Sequence, residues 1–156
     1  MIKSKITPCL WFDDRAEEAA KFYTSVFKDS KILETTHYSA ETPSNKPLGS
    51  VLTVAFEIEG QRFTALNGGP EFKFNEAVSF VISCKDQEEI DYYWEKLSAV
   101  PESEVCGWCK DKFGVSWQVV PENIDELTST EGGMKALLEM HKLDIKKLEE
   151  ANKGGD

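Results

Sequence analysis

A doubled order of secondary-structure signals constrains this chain more than any other feature. Residues 6–12 (ITPCLWF) form an apolar run of strand type, and Asp13 and Asp14 follow as helix N-cap candidates. Glu17 lies three residues after Asp14, as in a capping box. In 15–27 (RAEEAAKFYTSVF) Ala19, Phe22, Tyr23, Val26 and Phe27 share one helical face. Residues 31–38 (KILETTHY) are rich in strand formers, and 51–58 (VLTVAFEI) alternate, with Leu52, Val54, Phe56 and Ile58 on one side. Glu59 and Gly60 turn the chain back into 62–67 (RFTALN), which completes a β-α-β-β-β order. The order then recurs. Residues 77–84 (AVSFVISC) read as a strand, and Asp86 with Glu89 caps a helix whose face carries Ile90, Tyr93, Trp94 and Leu97. Two short strands are expected around Gly107, and DKFG (111–114) turns into VSWQVV (115–120). The helix faces coincide at an offset of about 71, pairing Ala19 with Ile90. The last hairpins coincide at about 54, pairing Phe63 with Trp117 and Thr64 with Gln118.

This repetition predicts an α+β fold of two tandem β-α-β-β-β modules forming curved mixed sheets. The expected boundaries, within a single domain over 1–156, are 4–67 for the first module, 68–76 for a turn-rich linker and 77–121 for the second module. A helical extension is expected over 122–150. There Met134, Leu137, Leu138, His141, Ile145 and Leu148 recur at helical spacing and predict one amphipathic C-terminal helix over Glu131–Glu150, with a frayed tail from Ala151.

A chain of 156 residues buries about two thirds of its unfolded surface, so it needs no disulfide or metal to fold. Its net charge of −10, with Arg15 and Arg62 as its two arginines, argues against nucleic acid and acidic membranes as partners. The start, MIKSKITPCLWFDD, is interrupted by Thr7 and Pro8 and lacks the form of a signal peptide. No stretch approaches the roughly 20 apolar residues that span a bilayer. A cytoplasmic protein is expected, with its four cysteines as thiols. Cys9 and Cys84 lie in apolar runs and read as small core residues. Cys106 and Cys109 have the Cys-x-x-Cys spacing of redox pairs, but they fall on strands, away from the helix N-terminus that such chemistry uses.

The words ITPCLWFDD followed by AEEAAKFY, GSVLTVAFEIEGQRFTALNGGP, EAVSFVISC and CGWCKDKFGVSWQVVP sharpen the reading. They resemble the vicinal oxygen chelate (glyoxalase and bleomycin-resistance) superfamily. Within it they resemble the PhnB-like branch, whose members often carry the label 3-demethylubiquinone-9 3-methyltransferase. The resemblance covers roughly residues 4–150 and implies the two-module fold and a homodimer. It also implies divalent-metal ligands, His, Glu or Gln, on the first and last strands of each module. Carried over one by one, those positions fall at Thr7 or Pro8, Thr64, Ser79 and Gln118, a weak and uncharged set, so no metal and no other cofactor is expected. The same positions line the concave face. With Trp11 and Trp108 they make Thr7, Trp11, Thr64, Ser79, Trp108 and Gln118 the candidate ligand-binding residues of a largely apolar cup. The label finds no support in the residues. Methyl transfer of the common kind uses a Gly-rich turn between a buried strand and a helix, and Gly68-Gly69, Gly132-Gly133 and Gly154-Gly155 lie elsewhere. Two readings follow: a protein that binds or transforms a small, partly apolar metabolite, or a non-enzymatic sequestrator of the bleomycin-resistance kind. A third uses Cys106 and Cys109 for redox or metal chemistry.

Overall fold

The computed structural model describes residues 5–43 and 45–154, and the chain divides into two compact units, Met1–Lys73 and Phe74–Asp156. The first holds β1 (Cys9–Phe12), α1 (Ala16–Val26), β2 (Ser30–His37), β3 (Val51–Ile58) and β4 (Gln61–Asn67). Its sheet runs β1-β4-β3-β2, with β1 parallel to β4 and the other pairs antiparallel. Alternation sets the two faces. Leu10, Phe12, Val54, Phe56, Phe63 and Ala65 are buried, as are Ala16, Ala19, Ala20, Tyr23 and Val26 of α1. Three alanines let the helix lie close, and Tyr23, Phe56 and Phe63 stack in series at centroid distances of 5.9 and 5.3 Å.

Two local expectations change here. The expected capping box on Asp14 and Glu17 is absent; α1 begins at Ala16, and its N-cap residue, Arg15, makes no side-chain cap. Instead Asn67 Oδ1 accepts the Ala16 N–H at 2.8 Å. The parallel pairing of β1 with β4 ends at Phe12 and Asn67, which delivers that amide to the helix start. Cys9, expected in the core, is exposed, because the strand turns Leu10 and Phe12 inward and Cys9 to the opposite face.

The second unit holds β5 (Ser79–Cys84), α2 (Gln87–Leu97), a 3₁₀ turn (Pro101–Ser103), β6 (Trp108–Lys110), β7 (Ser116–Pro121) and three short helices, α3 (Ile124–Leu127), α4 (Glu131–Glu139) and α5 (Ile145–Gly154). The sheet order is β5-β7-β6, again mixed, with β5 parallel to β7. The α2 cap is the one expected: Asp86 Oδ1 accepts the Glu89 N–H at 2.9 Å, and Glu89 Oε1 accepts the Lys85 N–H at 3.1 Å. Ile90 and Leu97 are buried, whereas Tyr93 and Trp94 are half-buried. The first of the two short strands expected around Gly107 shrinks to a single bridge between Val105 and Trp108. Cys106 (φ 39°) and Gly107 (φ 91°) form a tight left-handed turn. Their N–H groups donate to the carbonyls of Met140 and His141 rather than to a strand.

That pairing also breaks the expected long C-terminal helix. Residues 140–144 are non-helical between α4 and α5, with Leu143 fully buried. Gln87 brackets the break, donating to the Leu143 carbonyl at 2.9 Å and accepting the Ile145 N–H at 2.8 Å. Asp144 Oδ1 accepts the Lys147 N–H at 3.0 Å in the first turn of α5. Val120, Leu127, Leu143 and Leu148 form the core of this part, whereas Met134 and Leu138 of the expected stripe are exposed. Asn152 ties the helices together by bonding Thr130 and the Glu126 carbonyl, and a Cβ on Gly133 would lie 2.4 Å from its Oδ1. The helix runs through the expected frayed tail to Gly154; Gly155 and Asp156 lie outside the described residues. Among the described residues no helix is long and apolar enough to cross a membrane.

Candidate functional site

Each sheet has one face packed on its helix and one face turned away from it. In the first unit the turned-away face of β1 carries Cys9 and Trp11, registered beside Thr64 and Leu66 of β4, with Thr7 just before the strand. Trp11 is held firmly. Its Nε1 donates to the Gly69 carbonyl at 2.9 Å, and its ring meets Phe72 edge-on at 4.9 Å. A Cβ on Gly68 would lie 2.4 Å from the indole, so glycine is what lets the chain pass over this ring. Thr64 is half-buried, and Phe63, next to it, is buried on the helix side.

In the second unit Ser79, Gln118 and Trp108 come together. Val81 and Trp108 register on either side of Gln118, and Ser116 pairs with Ser79 and Lys110. Gln118 Nε2 donates to Ser79 Oγ at 3.0 Å. Neighbouring Trp117 is buried on the opposite face, where its Nε1 donates to Asp111 Oδ2 at 2.9 Å. Asp111 is itself buried, and its other oxygen accepts the N–H groups of Phe113 and Val115 at 2.9 and 3.0 Å, which fixes the β6–β7 turn. Beside this face lies a cleft of about 410 Å³ lined by Glu76, Glu102, Ser103, Cys106, Trp108 and Ser116 among others. Its volume falls within the range of small-molecule pockets. Glu76 is paired with Lys110 at 2.5 Å, and that hydrogen bond holds its carboxyl below the usual carboxylate range.

The fold family implies a metal, and the residues present do not fit one. Thr7, Thr64 and Ser79 offer neutral hydroxyls, and Gln118 directs its amide N–H at Ser79. Divalent ions of this kind are held chiefly by imidazole, thiolate or carboxylate, and a single amide oxygen with three hydroxyls carries no charge to hold one. Among the described residues no three His, Cys, Asp or Glu side chains are grouped for a metal ion. His37 is exposed on the edge strand β2, and His141 is exposed in the α4–α5 break. Burial pushes the thiols of Cys84 and Cys109 up to about 12, so both are poor nucleophiles. Cys106 sits in the tight turn, and Cys109, registered with Trp117, faces the helix side.

Three residues that shape these faces escaped the sequence reading: Asn67, Glu76 and Glu102. Asn67 stood at the end of the strand 62–67, Glu76 at the end of the linker and Glu102 in a polar stretch, with no spacing to single them out.

A family model described as 3-demethylubiquinone-9 3-methyltransferase matches residues 4–120. A solved structure from Bacillus cereus, described as a 3-demethylubiquinone-9 3-methyltransferase, PhnB protein, is 35% identical; the match covers 75% of this chain and 99% of that chain, with a TM-score of 0.61. A Pseudomonas aeruginosa protein is 16% identical over 76% of this chain and 98% of its own, with a TM-score of 0.58, which is a likeness of fold. No curated protein matches the chain.

Proposed function

The chain belongs to the 3-demethylubiquinone-9 3-methyltransferase family in its PhnB-like form, and from that premise we propose that it binds or transforms a small, partly apolar metabolite on the second sheet, without a catalytic metal. The observation that carries this reading is the Ser79–Gln118 pair, set beside Trp108 and the cleft of about 410 Å³. Gln118 offers both a donor and an acceptor, Trp108 offers a flat apolar face, and the cleft gives room for a small molecule. Methyl transfer is no part of the proposal. The sheets are mixed and of four and three strands, without the parallel-sheet turn that cradles such a cofactor. Thr7, Trp11 and Thr64 form the matching face of the first sheet, with Trp11 serving its own unit's packing.

A second reading, retention without turnover, draws support from the same pair, since neither a serine hydroxyl nor a glutamine amide titrates near neutral pH. A thermal-shift screen of small metabolites, followed by product analysis on each stabilising compound, tests both. Stabilisation with product supports transformation, and stabilisation without it supports retention. A screen with no stabilising compound rejects both. For the metal, elemental analysis of untagged protein is expected to give far less than one divalent ion per chain; a stoichiometric ion lost in Gln118→Ala overturns that part.

The proposal includes a homodimer in the cytoplasm. Ile32 and Leu33 on the edge strand β2, and Val78 and Val81 at the edge strand β5, expose apolar surface suited to a second copy. Light scattering that reports a monomer at micromolar concentration rejects it.

A further inference from the structure

We propose that the cleft beside β6 selects an organic cation, an amine carried on a flat apolar body, over neutral or anionic molecules of the same shape. The inference rests on the reading of the second sheet as the binding face and adds the charge of what binds. The cleft lining contains two carboxylates, Glu76 and Glu102, and no lysine or arginine. The positive group beside Glu76 is already committed: the Lys110 ammonium lies 2.5 Å from its carboxylate. Glu102 makes no ion pair or hydrogen bond among the described residues, so one negative charge at the cleft stays uncompensated. Trp108 supplies the π face that attracts a cation and also covers an apolar ring. The remaining polar lining, Ser103 and Ser116, is neutral and accepts N–H donors. Gln118 is registered beside Trp108, outside the cleft lining, and its Oε1 makes no hydrogen bond among the described residues. An organic anion placed here would meet the unpaired Glu102 carboxylate, while the Lys110 ammonium is already held by Glu76. The chain's net charge of −10 adds to that bias over longer range.

The test uses the full chain and three probes of one shape: 2-phenylethylamine, 2-phenylethanol and phenylacetate, titrated by calorimetry at neutral pH and low salt. The amine is expected to bind tighter than the alcohol by about tenfold, with phenylacetate weakest. Glu102→Gln, an exposed change that circular dichroism should find folded, is expected to weaken the amine by at least about threefold and leave the alcohol unchanged. Glu76→Gln, which also frees Lys110, is expected to narrow the gap between amine and anion. Phenylacetate binding as tightly as the amine overturns the inference. So does an amine that matches the alcohol and ignores Glu102→Gln; in that case alcohol binding lost in Trp108→Ala leaves the binding face itself standing. No binding of any probe overturns the face and the inference together.

Discussion

Asn67 in the first unit and Asp111 in the second are equivalent in kind and opposite in consequence. Each is a buried polar side chain that satisfies backbone groups around a hairpin. Asn67, at the exit of β4, caps α1 and donates to the Val51 carbonyl at 3.1 Å, while its own carbonyl accepts the Tyr38 hydroxyl. The chain that follows it, Gly68 to Phe72, then wraps Trp11. Asp111 instead locks the turn before β7 and leaves the chain after that strand to run into α3. The Val120 end of the second sheet is covered by the C-terminal core, while Ser79, Trp108 and Gln118 are only half-buried. Two modules with one register thus diverge in what their outer faces are free to do. The two anchors thus go with two different tryptophans, Trp11 held by the packing of its own unit and Trp108 left lining a cleft.

The most damaging break in this comparison should come from the second unit's anchor. Trp117→Ala is expected to cost about 3–5 kcal/mol, the usual loss for emptying a buried aromatic site. Asp111→Ala should approach it at about 3 kcal/mol, because two buried N–H donors and one part-buried donor lose their acceptor. Urea denaturation of both variants measures this. A loss under about 1 kcal/mol in Asp111→Ala would show that the turn stands without it. In the first unit, Gly68→Ala should cost about 1–3 kcal/mol by driving a methyl into the indole. Trp11→Phe, which removes the indole atoms facing Gly68, should recover part of that loss in the double variant, and purely additive losses would refute the proposed clash.

A smaller effect should appear with pH. The Cys84 and Cys109 thiols are raised in the folded chain from 9.0 to about 12, so the folded state keeps these protons after the unfolded state has released its own. Stability contributed below pH 9 is therefore lost as pH rises toward 12. Melting curves of the wild type should fall more steeply over that window than those of a Cys84→Ala, Cys109→Ala double variant, and parallel slopes would exclude the effect. Smallest of all, Gln118→Ala should leave stability within about 1 kcal/mol while weakening any compound that the thermal-shift screen finds. If it proves more destabilising than Trp117→Ala, the two faces of β7 have been assigned the wrong way round.

The sequence carried what periodicity and local chemistry can carry. The alternation of 51–58 matches β3 residue for residue, and Asp86 with Glu89 marks the start of α2. It placed Trp117 and Gln118 on opposite faces, as their burial agrees. It failed where distant segments compete for the same backbone groups. Helical spacing over 131–150 gives no hint that the carbonyls of Met140 and His141 will serve Cys106 and Gly107. Aspartates in the right place before α1 lost to an amide 51 residues away. At the candidate site, the polar pair lies on strands whose alternation is readable. The cleft beside it depends on Glu76 and Glu102, which no repeat or motif marks.

The two helix starts differ in a further way that concerns how the chain reaches its fold. The first turn of α2 is completed by residues at most four positions apart, so it needs nothing beyond its own segment to nucleate. The first turn of α1 is completed by a residue that arrives only when β4 has paired with β1, a loop closure of 51 residues. Of two look-alike modules, the second can therefore begin from local order, whereas the first must gather its ends before its helix is whole.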